Sequence, residues 1–590
     1  MSRLPVFAAG ALLAIAGSAH AGQTVIQMQR PGGPVQIVQP NRDAKTGTGR
    51  IRGRVLAADT NAPVRRAQVR IIGEGIGGKL ALTDAEGRYE FRDLPVGRFR
   101  LLVAKPGFVP TQYGQRHPLE SGRPIELSDG EALDNVNIVL PRGGVLTGRI
   151  VDEFGDPLEG VEVMAQRRRF INGAPRLAPA GRGVSNDLGD FRIYGLAPGQ
   201  YYVSASLRSP QMVTFDVTGA AAGGPVGSMP DSGYAPTYYP GTPSSSDAQP
   251  IAIGPGQEVD SLDFAMQAVK TVRIRGTVMS SAGQPVGGAR VVLIPAVHDS
   301  MSFAPAGTSR TASNGTFTMT GIAPGDYTLE TTSNDREQMM IAVMTGTADA
   351  TSRPARREPE FAAMPLSVNG TNIDDLVVTT ARGAHATGRL VFEGQTAPPG
   401  LSKLRILAVP AGSDVRGPVG TSTVKDDGTF ELTGLSGARG LRAGNLPRGW
   451  FLDTVEYDGA DVTDTGIEFK PGTDVSGIVI RYTQQQTHLT GTVATDAGIA
   501  ATDYTILVFS QDPHAWTQVL GGRTREARPD QDGQFKIDGL RPGDYYAIAL
   551  ESVDEGQAQD PEFLTRISKD ATSFTLEAGA SKALQLKLSR

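Results

Sequence analysis

His117-Pro118-Leu119-Glu120 carries the H-x-x-E spacing with which a zinc peptidase offers an imidazole and a carboxylate to one metal ion. A catalytic zinc also needs a third ligand and a water-activating carboxylate on a large α/β scaffold, and the chain beyond Glu120 reads as further strands. Gly73-Glu74-Gly75-Ile76-Gly77-Gly78-Lys79-Leu80 approaches two nucleotide-binding spacings at once. Leu80 stands where a P-loop needs Ser or Thr for magnesium, and both patterns need a helix where Leu80 to Asp84 reads as strand and turn. A glycine-rich hairpin loop is the reading. His298, His385, His488 and His514 are far apart and read as solvent-facing loop residues. No G-x-S-x-G elbow occurs, and the carboxylates show no recurring pair of the kind that cleaves glycosides. The sequence therefore predicts no catalytic residue, no metal and no cofactor.

Aromatic rings offer a different chemistry. Gly107-Phe108-Val109-Pro110-Thr111-Gln112-Tyr113 recurs as Gly233-Tyr234-Ala235-Pro236-Thr237-Tyr238-Tyr239, outside the predicted core strands. Tyrosines beside a proline-braced loop could stack on a sugar face or an apolar peptide side chain, because a ring offers rigid area at little entropic cost. Trp516, between Pro513 and Gly521, is a second candidate platform. Tyr113, Tyr234, Tyr238, Tyr239 and Trp516 are thus the candidate ligand-binding residues; packing at a sandwich end or between modules is the competing role for such rings.

The elements that would position these rings are read from a repeated phrase. Gly87, Tyr89, Phe91, Leu94, Gly97 and Phe99 share their offsets with Gly189, Phe191, Ile193, Leu196, Gly199 and Tyr201. The phrase returns from Gly315 to Tyr327 and from Gly533 to Tyr545, with a drifting copy from Gly428 to Leu435. Apolar residues two apart place their side chains on one face of a strand. Asp84 to Gly87 and Asp530 to Gly533 predict hairpin turns, and Pro198-Gly199, Pro324-Gly325 and Pro542-Gly543 predict type II turns. Asp532 beside Asp530 reads as part of that turn rather than of a calcium loop. Five opening strands, such as Ile51-Arg52-Gly53-Arg54-Val55 and Leu489-Thr490-Gly491-Thr492-Val493, match the five phrases, and a closing hairpin such as Ile125 to Leu127 with Val136 to Ile138 ends each unit. About seven strands per unit predicts an all-β chain, a tandem array of about five immunoglobulin-like or prealbumin-like β-sandwich modules.

The expected layout is a signal peptide at 1–21, a flexible leader at 22–49, and modules at 50–142, 143–269 (with an inserted loop, 209–232), 270–382, 383–485 (divergent) and 486–590. Arg3, the apolar run Val6 to Ile15 and Ala19-His20-Ala21 support the signal, with Gly22 as mature start. No later run is long and apolar enough for a transmembrane helix. The 57 basic and 62 acidic residues leave a charge of -5, and the one dense basic cluster, Arg167 to Arg169, lacks interleaved aromatics, which argues against nucleic acid. With no cysteine, disulfides and thiolate chemistry are excluded and each module rests on its own core.

The order of G-x-V strand, proline turn, second strand, D-x-x-G-x-[YF]-x-[FIL] and L-x-P-G-x-[YF] resembles the carboxypeptidase regulatory-like domain, a transthyretin-like sandwich of the carbohydrate-binding-like group. Module 4 departs from it, with Leu435-Ser436-Gly437-Ala438 in place of the Pro-Gly turn. With the signal and the lack of a catalytic constellation, the chain reads as an exported, non-catalytic binding or adhesion protein in the periplasm, at the cell surface or outside, and the resemblance implies carbohydrate as its ligand class. Polysaccharide is the first-choice partner and a cell-surface protein the second. A structural spacer and an accessory subunit of a secreted peptidase are the alternatives.

Overall fold

The computed structural model describes residues 47–589 apart from 74, 75, 77, 118, 208–231, 297–304, 333–359, 395–396, 413–418, 448 and 519. The expected signal peptide, nearly all of the leader, the inserted loop except Ser232, and His298 lie outside the described residues. The described chain is all-β apart from short 3-10 turns and the helix Pro561–Ile567. Five separate cores line up along it, drawn from Ile51 to Leu140, Leu146 to Met266, Val272 to Val378, Ala384 to Tyr482 and Leu489 to Leu586. Each is the filling of a two-layer sandwich, the arrangement in which alternating strands bury one face apiece; in the last, Ser581–Ser589 pairs with strands of both layers and joins them into one eight-stranded sheet.

Module 1 shows the plan. Its opening strand Gly49–Ala57 pairs antiparallel with Arg88–Leu94 and in parallel with Ile138–Leu140. The facing sheet runs Lys79–Leu82, Gln68–Gly73, Gly97–Ala104, with Thr111–Gln112 and Ile125–Leu127 both on the last of these. The turn at Asp84 to Gly87 therefore does not close a hairpin, as the sequence suggested. It carries the chain from one sheet to the other. The Asp84 carboxylate accepts the amides of Glu86 (3.0 Å) and Arg88 (2.7 Å), which makes it a sound turn between strands that belong to different layers. Asp530 does the same for Asp532 and Gln534, both at 2.9 Å. Only in divergent module 4, among the described residues, is the phrase a true hairpin, Val419–Val424 on Thr429–Leu435. The closing hairpins are corrected likewise: Ile125–Leu127 and Ile138–Leu140 lie in opposite sheets, as do Ile467–Phe469 and Asp474–Thr483.

Two glycine positions explain the repeated phrase. A Cβ on Gly53, Gly276, Gly388 or Gly491 would stand 1.9 to 2.4 Å from a carbonyl oxygen of the parallel last strand or, for Gly53, of Val136 just before it, so the opening strand admits no side chain there. The glycine of Pro-Gly has φ of +145° at Gly199, +156° at Gly325 and +152° at Gly543. That is the mirror-image extended region open in practice to glycine alone, not the left-handed position of a type II turn. It aims the tyrosine two residues on into the core, where the hydroxyls of Tyr201, Tyr327 and Tyr545 donate to the carbonyl four residues upstream, that of Tyr545 to Arg541 at 2.7 Å. Gly543→Val should lower the stability of module 5 by about 1–3 kcal/mol through backbone strain. An unchanged melting temperature would contradict this account of the turn.

Candidate functional site

The duplicated aromatic segment is built into the sandwiches. Thr111–Gln112 and Thr237–Tyr238 are short strands on the second sheet of their modules, and the amides of Tyr113 and Tyr239 donate to the carbonyls of Leu101 (3.0 Å) and Val203 (2.9 Å). Thr111 and Thr237 each fold the hydroxyl onto the carbonyl two residues back at 2.9 Å, so the Pro-Thr-x-Tyr spacing is a means of ending a sheet. Tyr113, Tyr234 and Tyr239 are half-buried against the cores of modules 1 and 2, and Tyr239 meets Phe264 edge-on with centroids 5.9 Å apart. The Tyr234 hydroxyl donates to Glu153 at 3.1 Å; burial first and that carboxylate second push its phenol up to about 12. Tyr238, 8% exposed, joins a small cluster with Leu177 and Ala248.

Trp516 is also only 8% exposed. Its indole donates to the Ser510 carbonyl at 2.8 Å, and its ring packs edge-on against Phe509 beneath the helix Pro561–Ile567, in a second apolar cluster with Leu507, Ile548 and Leu564. The expectation of exposed platforms is thereby corrected at Tyr238 and Trp516, while the other three rings are half-buried. A tyrosine at the end of an amphipathic strand finds apolar surface nearby, and covering it outweighs the modest gain of leaving the ring in water.

The metal-like spacing resolves into something else. His117 is exposed while Glu120 is buried, so the pair does not converge on a common point. Glu120 instead forms an ion pair with Arg528 of module 5, their side chains 2% and 0% exposed. Arg528 also pairs with Asp503, which in turn holds Arg116 of module 1. Around this network Arg123 donates to the carbonyls of Pro529 (3.3 Å) and Asp530, and Gln531 and Glu126 exchange two hydrogen bonds of 3.1 Å. Among the described residues no group of three His, Asp or Glu side chains could hold a metal. His385 and His488 lie on opening strands rather than loops, each 2.7 Å from a carboxylate of the neighbouring strand, Glu431 and Asp538. The strand Lys79–Leu82 follows the glycine-rich stretch directly, so no helix offers its amides to a phosphate there.

Module 5 makes contact with two further modules. The guanidinium of Arg541 reaches Asp461 (2.9 Å) and Asp464 (2.6 Å) of module 4, and Arg523 reaches Asp464 at 2.7 Å. Burial alone would raise the Asp461 carboxyl, but hydrogen bonds from Thr463 and Arg541 outweigh it and the net shift is downward. On another side the Gln559 side chain accepts the Asn172 amide of module 2 at 2.9 Å, and Arg169 pairs with Glu555. The array is therefore gathered on module 5.

Glu526, at the contact with module 1, has its carboxyl raised by burial and by Glu120, against the pull of Ser121, Arg528 and Arg100. A raised acid favours the folded contact while protonated, so its contribution is present at low pH and lost as pH rises through the raised value. Proteolytic release of module 1 should accelerate over that rise, and Glu526→Gln should flatten the dependence. A slope unchanged by that substitution would assign it to another group.

Five sandwiches, three of them in contact with the last, define a modular all-β protein. Residues 50–141 and 273–354 match the carboxypeptidase regulatory-like domain family. No curated protein matches the sequence. The chain is similar to solved structures at low identity: a streptococcal ancillary pilin (11% identity, 56% of this chain and 98% of that one, TM-score 0.20) and the major pilin subunit of Bacillus cereus (14%, 56% and 99%, 0.13). The TIE protein of Bacillus anthracis aligns at 14% identity and TM-score 0.16 over 57% of this chain, which spans about half of that protein's length, 51%. Among the described residues no helix is long and apolar enough to cross a membrane.

Proposed function

We propose that the chain is exported and serves, without catalysis, as a compact scaffold of adhesive or structural type at the cell envelope or outside it. The observation that carries the reading is the buried Glu120–Arg528 pair, which joins the first module to the last across some four hundred residues of chain. A flexible spacer has no use for such a contact, because ordering two modules against each other restricts the reach a spacer supplies. Export is supported by the signal-like N-terminus, and a role without catalysis by the commitment of Glu120, from the one zinc-peptidase spacing, to the buried pair with Arg528. Carbohydrate remains the proposed ligand class, but the tyrosines of the duplicated segment are committed to the cores and a sugar would have to be met elsewhere.

Small-angle scattering of the full chain tests the scaffold reading. A 100-residue domain is about 34 Å across, so five in file would reach about 170 Å. The scaffold predicts a maximum dimension well below that; an extended profile would favour the spacer.

A further inference from the structure

We propose that the cleft between modules 1 and 2 is a binding site for a neutral saccharide, with Tyr194 as its stacking platform. The proposal goes beyond the scaffold reading and does not depend on it. Tyr194 lies on the strand Asp190–Leu196, at the position that the repeated phrase fills with Arg92, Thr320, Thr433 and Asp538 in the other modules. Four copies put a polar side chain on that solvent-facing side. Module 2 alone puts a ring there, and it is 61% exposed, whereas the neighbouring Phe191 and Ile193 fill the core. Nothing in the sandwich accounts for an aromatic at this point.

The ring lines a cleft of about 780 Å3, within the size range of small-molecule sites. The floor is backbone. Gly107 and Gly143 are joined by an amide–carbonyl hydrogen bond of 3.1 Å, and a Cβ on Gly107 would meet nothing within 4 Å, so a ligand approaches the main chain closely. Both guanidiniums of the walls are ion-paired, Arg142 with Asp59 of the same lining (2.9 Å) and Arg192 with Glu258, which is not itself part of the lining. Arg142 is further held by Phe108, its guanidinium 4.7 Å from the ring centre, which fixes the wall on the module 1 side.

This composition selects among ligands. Each guanidinium already faces a carboxylate, so the walls have little net charge to attract a phosphate, a sulfate or an acidic peptide. A sugar hydroxyl both donates and accepts, and can bridge a carboxylate to its guanidinium without disturbing the balance. The flat face of a pyranose, with its C–H bonds, suits the exposed ring. The duplicated aromatic segment does reach this site, through Gly107 and Phe108 rather than through its tyrosines.

The test is calorimetric titration of the full chain with neutral hexasaccharides of glucose, xylose, mannose and N-acetylglucosamine, alongside a sulfated hexasaccharide and a glutamate-rich peptide. At least one neutral hexasaccharide should bind, Tyr194→Ala should weaken it about tenfold or more, and Tyr194→Phe should stay within about threefold of the native chain, with circular dichroism unchanged in both. Binding of none of the neutral sugars, binding of only the sulfated sugar or the peptide, or equal affinity in Tyr194→Ala would overturn the proposal. Scattering of the same samples reports the module arrangement, so failure of the scaffold reading is seen separately.

Discussion

Arg528→Ala should release module 1 from module 5 while leaving both sandwiches folded. The substitution strands Glu120 as a buried carboxylate without its cation and leaves Asp503 with Arg116 as its remaining cation. Removing one partner of a buried pair costs about 3–5 kcal/mol, because the desolvation of the remaining charge is no longer offset. Separation of the modules relieves that penalty by returning Glu120 to water, so the loss appears at the contact rather than in either core. Hydrogen exchange should show the backbone of Thr111 to Leu127 losing protection, with the cores around Phe99 and Phe535 unaffected. Charge reversal of both partners, Glu120→Arg with Arg528→Glu, should restore part of the contact. Protection equal to that of the native chain in Arg528→Ala would mean that the pair contributes nothing to holding the modules.

Gly491→Ala should be the most damaging single methyl group in module 5. The added Cβ would stand 2.2 Å from the Leu584 carbonyl oxygen and 2.5 Å from the Phe535 ring. The strand His488–Ala494 pairs on one side in parallel with Ser581–Ser589 and on the other with Gln534–Asp538, so it cannot move from one neighbour without pressing on the other. Overpacking against backbone rather than a side-chain tip belongs at the upper end of such effects, about 3 kcal/mol or more. For a domain of this size that is a fall of more than about 10 °C in the module 5 transition on calorimetry. Gly498→Ala, at a position where a Cβ would meet nothing within 4 Å, controls for loss of glycine in a turn, though its φ of +77° carries its own smaller strain. Equal effects of the two substitutions would show that close strand approach is not what the opening glycine serves.

The strands of this protein were legible because their signal is local. Tyr89 and Phe91, two apart between an aspartate turn and Pro95-Val96-Gly97, must lie on one face of something extended, and they do, 4% exposed each. Their partners were not legible. The Asp84 turn has the same residues and hydrogen bonds whether the chain folds back within a sheet or crosses to the next one, so pairing is decided by the sandwich as a whole. Burial of the tyrosines was hidden for a similar reason: a ring beside a proline looks like a loop platform until the sheet it continues is known. Glu120 and Arg528 are 408 positions apart, and neither carries a local mark of the other. Tyr194 is the opposite case. Its oddity was visible in the alignment of the chain with itself, where Arg92, Thr320, Thr433 and Asp538 stand, but it lies inside a strand and so outside a search confined to loops.

The most direct measurement of the gathered array uses the absence of cysteine from the chain. Glu126→Cys with Gln531→Cys places two thiols where these residues now exchange backbone and side-chain hydrogen bonds between modules 1 and 5. Under mild oxidation of the dilute full chain, the account predicts an intramolecular disulfide in most molecules, seen as a faster monomer band that reduction abolishes. Glu126→Cys with Asp374→Cys, in module 3, should give little. Cross-linking of the first pair no more efficient than that of the second would contradict the account and leave five sandwiches strung in file.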